Sequence, residues 1–333
     1  ANNGVVVGED LTQFFHWSVS GGYVGVGGMP AYAGGAGIAR ISHDGTRFSG
    51  TVAGPSGFNE AGVYDIGASS WTALGGIGGT SDASMSSGWG ISGDGNSIVG
   101  LGWANAGTAY AVQSFNNGTF QSFGTSVPNR STRANATNYD GSVVVGWQDA
   151  EDGFRQGAVW VNGVQTLLTN GASDMVMSEA SDVDNAGKWV VGQGGFATGD
   201  QAWRWSAETG VQLLGTMNTP GWFVSGAATA VADTGAIVGY ERGFGQPTMG
   251  EGFIWTESMG MVNLNDYLDS LGIAYQSDFV FSLPLGISDD GNTIVGVGRT
   301  DTQLMVGFVV TIPAPATVPF AAVGLMAFAR RRR

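Results

Sequence analysis

One phrase recurs about seven times along this chain: a small turn ending in Asp-Gly, a few residues, then an apolar pair closed by Gly. The copies run Asp44-Gly45 to Gly50, Asp94-Gly95 to Gly100, Asp140-Gly141 to Gly146, Ala186-Gly187 to Gly192, Thr234-Gly235 to Gly239 and Asp290-Gly291 to Gly296. Asn3-Gly4 to Gly8 reads as a truncated first copy. Successive closing glycines stand 42 to 57 residues apart. A self-similar period of that size belongs to arrays and propellers rather than to one irregular domain.

Each copy carries a second landmark after its closing Gly, an apolar run ending in an aromatic: Phe15-His16-Trp17, Gly62-Val63-Tyr64, Ala158-Val159-Trp160, Trp203-Arg204-Trp205 and Phe253-Ile254-Trp255. Ala111-Val112-Gln113 and Phe308-Val309-Val310 keep the place and lose the aromatic. A third landmark follows across a turn, as in Thr72-Ala73-Leu74-Gly75 and Gln212-Leu213-Leu214-Gly215. These runs are short, β-branched or aromatic, and bounded by Gly, Asn, Asp or Ser, which marks strands. Asn117-Gly118 and Asn162-Gly163 suit the positive φ angles of two-residue hairpins, and Asp-Gly is expected to do the same between the first and second runs. A unit of four short strands repeated in this way is the blade of a β-propeller. The expected fold is therefore all-β, a propeller of six or seven four-stranded blades; a β-solenoid or a split sandwich is the alternative. The first repeat lacks its opening strand and the last lacks its fourth, so strands from both chain ends are available to close the ring; the manner of closure is left open.

One segment departs from the β pattern. Leu264, Tyr267, Leu268 and Leu271 fall at helical spacing, with Asn263 or Asn265 as N-cap and Gly272 as the stop. This short helix accounts for the longest interval and is expected to cover a blade edge. The 58 glycines are spread through the periodic pattern, so they fit tight turns and close blade packing rather than disorder.

The net charge is −14, and four of the thirteen basic residues are Arg330, Arg331, Arg332 and Arg333. Without them the remaining residues carry −18. Such a body has no electrostatic footprint for nucleic acid and is repelled by anionic lipid. There is no cysteine, which excludes disulfides and thiolate metal sites. No cofactor is expected.

Chemistry-bearing residues are few. His16 and His43 are the two histidines; with no third ligand near either, turn or strand-surface roles are expected. Asp182 and Asp184 have the spacing of a calcium loop but lack the downstream Glu, which makes them a weak calcium candidate beside a capping role in the turn. Most Asp residues recur at the turn, as a scaffold requires. Glu9, Asp10, Glu60, Glu151, Asp152, Glu241 and Glu251 break the repeat and read as solvated loop charges, the alternative being a glycosidase-type carboxylate pair. Trp17, Trp160, Trp205 and Trp255 recur in register and are expected to be buried between blades. Trp103 and Trp147 lie just after closing glycines, near the variable loops, and are the candidate exposed ligand-binding aromatics.

The C-terminus changes character. Pro313-Ala314-Pro315 precedes a mostly apolar stretch, Ala316 to Ala329, and then the four arginines. Fourteen helical residues span about 21 Å at 1.5 Å each, short of the ~30 Å hydrocarbon core. Prolines, a short apolar stretch and a terminal basic block read as a processing signal whose arginines stay on the cytoplasmic side.

These residues resemble the PEP-CTERM sorting signal in a Pro-Ala-Pro form, with Ala314 where the family's Glu usually stands. That resemblance implies recognition by an exosortase-type sorting peptidase, transient membrane contact through the tail, and delivery to the cell surface or extracellular polymer. The repeat resembles the HAF family of extracellular repeats, whose phrase Ile-Ser-x-Asp-Gly-x-x-Ile-Val-Gly appears at Ile287 to Gly296 and Ile91 to Gly100. The family's Leu-Asn-Asp-Tyr-Leu segment appears at Leu264 to Leu268. The expected organisation is a HAF-type propeller over residues 1–311 and a PEP-CTERM-like segment over 312–333. A secretory leader is expected upstream of Ala1. The expected function is an exported, non-enzymatic surface or matrix protein binding polysaccharide or surface proteins. The competing expectation is an extracellular propeller hydrolase or lyase acting on polysaccharide; a secreted protein–protein platform is the third.

Overall fold

A computed structural model describes every residue except 56, 79–84, 117, 171–176, 196–199, 218–224, 244–245, 303 and 313–333. The described chain forms seven antiparallel meanders in sequence order, the seven blades of a β-propeller. Strands are lettered a to d within a blade, in chain order. The a strands of successive blades lie against one another around the axis, and d is outermost. Blade 3 is Ser86–Ile91, Ser97–Asn105, Thr108–Phe115 and Gln121–Gly124. Blade 4 is Thr132–Thr137, Val143–Asp149, Arg155–Val161 and Val164–Leu167. Blade 5 is Ala180–Val183, Val190–Gly192, Trp203–Ser206 and Gly210–Leu213, and blade 6 is Ser225–Val231, Ile237–Arg242, Glu251–Thr256 and Gly260–Asn263.

Three blades show three regular strands among the described residues. Blade 2 has b, c and d at Arg47–Ala53, Asn59–Asp65 and Ser70–Ala73. Its a position is filled by an irregular segment around Arg40 and Ile41, through an Ile41–Phe48 bridge and the Ser49 N–H on the Arg40 carbonyl. Blade 1 has b, c and d at Val6–Glu9, Phe14–Ser18 and Gly22–Gly27. Blade 7 has a, b and c at Val280–Ile287, Thr293–Arg299 and Met305–Thr311. Every sheet is built from consecutive chain, so the described residues show no strand exchanged between the first and last blades.

The repeated phrase has two structural causes. The first is the a–b turn. In blade 3 the Ser92 N–H bonds to Ser97 O, the Gly95 N–H to Ser92 O, and Gly95 takes φ 73°. The Ser92 hydroxyl donates to Asp94 Oδ1, which also accepts the Asn96 N–H. Blades 2 and 7 repeat this with Ser42/Asp44 and Ser288/Asp290. The connection is thus four residues long with only Gly in the left-handed region, longer than the expected two-residue hairpin. Asn162-Gly163, with φ 48° and 82°, does form the two-residue turn between c and d. Asn117 of the Asn117-Gly118 pair lies outside the described residues; beside it Asn116 takes φ 51° and the Gly118 N–H reaches Phe115 O.

The second cause is a β-bulge in strand a, between Gly88 and Gly90, Ala134 and Ala136, Ala180 and Asp182, Ala228 and Ala230, and Pro284 and Gly286. The closing glycine of strand b lies opposite each bulge. A Cβ at Gly100, Gly146, Gly239 or Gly296 would stand 2.0, 1.9, 2.0 or 2.2 Å from a strand-a carbonyl oxygen. No side chain fits there.

Six hydrophobic clusters fill six of the seven blade junctions. The register aligns Trp17, Tyr64, Trp160, Trp205 and Trp255, each opposite the residue two before a closing glycine. Trp160 and Trp255 are buried, at 1% and 4% exposure, but Trp205 is only half-buried. In blade 5 the fully buried indole is Trp203, which packs over Gly192 and donates from Nε1 to Gln193 O. The helix runs Leu264–Ser270, capped by the Asn263 side chain on the N–H groups of Asn265 and Asp266, with Gly272 beyond its end at φ 69°. Its Leu264 and Leu268 are fully buried between blades 6 and 7.

The seventh junction, between blades 7 and 1, contains none of these clusters. It is bridged on the turn face. There the residue preceding each Asp-Gly, or its neighbour, bonds to the next turn: His43 N–H to Gly93 O, Asp94 N–H to Tyr139 O, Tyr139 N–H to Asn185 O, Asn185 N–H to Asp233 Oδ1 and Asp233 N–H to Asp289 O. The Asp290 N–H reaches Asn2 Oδ1, and Asn3 Nδ2 donates to Asp44 O. The links form a closed circle through all seven blades, and Asn2-Asn3-Gly4 is the turn of the truncated first repeat.

Candidate functional site

An antiparallel meander places its a–b and c–d turns on one face of the disc and its b–c loops and blade-to-blade linkers on the other. The turn face carries the repeated Asp residues, whose carboxylates are used locally. The Ser142 hydroxyl and N–H both donate to Asp140, and these bonds hold its carboxyl below the ordinary range. The loop face carries the segments that differ between repeats, so sites that distinguish one blade from another lie there or at the axis.

At the axis the symmetry breaks once. The residue two before the turn Ser or its equivalent is small in four blades, Gly90, Ala136, Ala230 and Gly286, but is Arg40 in blade 2 and Asp182 in blade 5. Blades 2 and 5 stand across the ring from each other, and the small equivalents leave the space between them free. Arg40 Nη1 lies 2.9 Å from Asp182 Oδ1, its Nη2 donates to Ser181 O, and Asp182 Oδ2 accepts the Val231 N–H of blade 6. Burial pushes the Asp182 carboxyl upward against the pull of the Arg40 guanidinium. Asp184 instead accepts the N–H groups of Lys188 and Trp189 in its own turn. The weak calcium candidate is therefore corrected: both carboxylates are committed to internal partners and serve different ones. Among the described residues no cluster of three metal-ligating side chains occurs.

A second polar cluster runs radially across the loop face at the junction of blades 4 and 5. Arg133 and Trp147 are cross-strand partners. The Arg133 guanidinium lies 3.7 Å from the Trp89 ring centroid and 5.1 Å from that of Trp147, and the Arg155 guanidinium lies 4.3 Å from Trp147. Glu179 of blade 5 ties the ladder together, accepting from Arg133, from Asn135 Nδ2 at 2.8 Å and from Arg155 Nη1 at 2.7 Å. Trp147 is only 5% exposed. The expectation that it is an exposed binding aromatic is overturned, because the two guanidiniums that Glu179 positions cover its ring. Trp103 is half-buried at the loop-face end of strand b in blade 3, its backbone N–H on Met85 O.

The carboxylates expected in solvated loops divide. Glu9, Glu151 and Asp152 are exposed. Glu60 and Glu241 are buried, at 3% and 5% exposure, correcting the expectation for both. Glu60 accepts the Gly75 N–H, and Glu241 accepts the Met217 N–H while its Oε1 has no partner among the described residues. Burial raises the Glu241 carboxyl, with the nearby Glu251 charge adding to the effect. Glu241 and Glu251 are directly opposite on strands b and c of blade 6. Both histidines sit where expected: His16 is half-buried on strand c of blade 1, and His43 is in a turn, with Nδ1 2.5 Å from Asp289 Oδ2.

The loop face also opens a cavity that no single sequence segment announces. It holds about 600 Å³ between blades 1 and 2 and is lined by Gly28, Met29, Val52, Ala53, Gly54, Pro55, Trp71 and Ala73. The Trp71 indole donates to Val26 O and packs edge-on against Phe48 and Tyr64. The linker that forms one wall is tied down by the Met29 N–H on Thr51 O and by Asn59 Nδ2 on Gly34 O.

Arrangement and axis together define a seven-bladed β-propeller whose centre is braced by charge. No family model and no curated protein matches the chain. Solved structures do match. The β-propeller domain of the Trilobed protease from Pyrococcus furiosus, described as having an open velcro topology, aligns with a TM-score of 0.56 at 11% identity, over 92% of this chain and 91% of that one. The prolyl oligopeptidase B of Galerina marginata aligns with a TM-score of 0.53 at 12% identity, over 94% of this chain and 50% of that one. TolB from Acinetobacter baumannii aligns over 77% of this chain and 62% of that one, at 12% identity and a TM-score of 0.49. The chain thus spans half the length of the prolyl oligopeptidase and under two thirds of TolB. At these identities the likeness concerns the fold.

Proposed function

We propose that the chain is an exported, non-catalytic propeller of the cell surface or extracellular matrix that binds polysaccharide or a surface protein on its loop face. The observation that supports this reading best is the use of the charged groups at and around the axis. Asp182 and Glu179 are each held by guanidinium groups, an arrangement that braces the ring and commits both carboxylates to internal partners. The loop face meanwhile displays aromatic surface, which suits sugar rings. Sorting rests on the resemblance of Pro313, Ala314, Pro315 and Arg330 to Arg333 to a PEP-CTERM signal; these residues lie outside those described. Among the described residues the last regular strand ends at Thr311. The partners in this reading are an exosortase-type peptidase, transiently the membrane, and extracellular polymer.

Mass spectrometry of surface-exposed or released protein from the producing cell tests the sorting. Mature protein lacking Arg330 to Arg333 is expected; material that retains them refutes it. One observation favours the competing hydrolase or lyase: Glu241, buried and with its carboxyl shifted upward, faces Glu251 across a strand pair. Polysaccharide cleavage by the wild-type chain that Glu251→Gln abolishes would establish this alternative, and no cleavage across a polysaccharide panel is expected.

A further inference from the structure

The loop face is chemically uneven. Residues 1–39 contain no Lys or Arg, and neither do residues 48–129, so blades 1 to 3 contribute basic side chains only from the segment between. That segment holds two, and both are committed elsewhere. Arg40 pairs with Asp182 at the axis, and Arg47 pairs with Asp65 on the turn face. Among the described residues, the cavity between blades 1 and 2 therefore has no Lys or Arg on its walls. Its nearest acids are also engaged. Glu60 accepts the Gly75 N–H, and Asp10 accepts from the Thr12 and Gln13 N–H groups and from the Tyr23 hydroxyl.

The segments that wall the cavity carry aromatic surface instead. Tyr32 is 79% exposed on the short 3-10 turn Ala31–Ala33, in the linker that supplies Gly28 and Met29. Phe58 is 37% exposed at the end of the loop that supplies Gly54 and Pro55, a loop closed by the Gly54 N–H on Phe58 O. Asn59 joins the two segments through Gly34 O. A volume of about 600 Å³ falls in the ~300–1,000 Å³ range of small-ligand sites. We infer that this cavity is a subsite for an uncharged sugar segment of a neutral polysaccharide, with Tyr32 and Phe58 as stacking groups at its entrance and Trp71 at its wall. The inference rests on the polysaccharide-binding reading above and adds its place and its ligand class. Uronate, sulfated or phosphorylated chains are disfavoured twice: no guanidinium or ammonium group is there to receive the anion, and the body around the site carries −18 without the terminal arginines.

Affinity electrophoresis and calorimetry of the full chain test this, with soluble β-glucan, mannan and galactan as neutral probes and polygalacturonate as the anionic one. Binding to at least one neutral polymer is expected, unchanged in 0.5 M NaCl because no ion pair forms (about three times the salt of a physiological buffer). Tyr32→Ala and Phe58→Ala should each weaken it about tenfold, as loss of one desolvated ring contact does. Tyr32→Phe should keep it, since the ring face is the contact. Trp71 is left intact, because it packs in the junction core. Neutral binding that survives both alanine variants refutes this site and leaves the general reading standing. Salt-sensitive binding to polygalacturonate alone refutes the ligand class. Failure of every polymer refutes the inference and the polysaccharide half of the reading beneath it, leaving a surface protein as the ligand of that reading.

Discussion

Gly146→Ala tests the account of the closing glycine directly. The added Cβ would stand 1.9 Å from the Arg133 carbonyl oxygen and 3.0 Å from Ala134 Cα, both in strand a of the same blade. Relief requires strands a and b to separate by more than 1 Å, roughly the shortfall from van der Waals contact. The displaced atoms are hydrogen-bonded backbone, so no flexible side chain absorbs the shift. Overpacking costs of this kind are about 1–3 kcal/mol and occasionally more, and backbone involvement places this one near the top, about 3 kcal/mol. Relief of unfolded-state entropy by Ala opposes it by only about 0.4–1 kcal/mol. At about 2.1 cal/mol/K per residue, a 333-residue chain loses roughly 3 °C in Tm for that net change. Urea unfolding followed by tryptophan fluorescence supplies the measurement. An unchanged or higher midpoint, with unchanged slope, would refute the claim that this glycine is dictated by the bulge opposite it.

Trp160→Ala should destabilise by about 3–5 kcal/mol, as large-to-small changes of a buried aromatic do, and half-buried Trp205→Ala by clearly less; equal losses in parallel melts would contradict the burial assigned to them. Glu241→Gln should raise stability at neutral pH and flatten its pH dependence. The sign follows from the raised carboxyl: the folded state favours its neutral form, so the contribution is full below the unfolded value near 4.5 and is lost as pH rises through the raised folded value. Identical pH–stability curves for the two proteins would remove the burial argument. Arg40→Ala should cost about 3–5 kcal/mol by stranding the Asp182 carboxylate, whereas Arg40→Met combined with Asp182→Leu should cost much less. A double variant as unstable as the single one would show that the pair acts through shape rather than charge.

Much of the architecture is legible in the repeat, because a blade is a local object. Its turns and its Gly-closed strand are specified within about fifty residues, and the helix at Leu264 carries its cap and stop on either side. The strand count of the end blades and the manner of closure are not local, and no single repeat specifies them. Site residues fared less well for the same reason. Trp147 lies next to a variable loop in sequence, but its environment is set by Arg133 and Arg155 from two strands of blade 4 and by Glu179 from the linker into blade 5. Trp71 falls outside the aromatic landmark, and the cavity it lines is assembled from a linker, a loop and an outer strand. The Arg40–Asp182 pair did leave a signal. Aligned on their turns, the repeats place Gly, Ala, Ala and Gly where only these two are charged, and with opposite sign.

That pair has a bearing on the number of blades. A repeat whose units contact only their neighbours contains no instruction for when to stop; six, seven or eight would satisfy each junction equally well. The hydrogen-bonded circle of turns is equally indifferent, since every link is made to the adjacent unit. The Arg40 side chain is different, because it touches a unit three places away and its length is fixed. It works as a gauge set across the diameter. Duplicating one repeat between blades 2 and 5 would carry Asp182 beyond its reach, and the enlarged ring would lose its brace while every local contact remained intact.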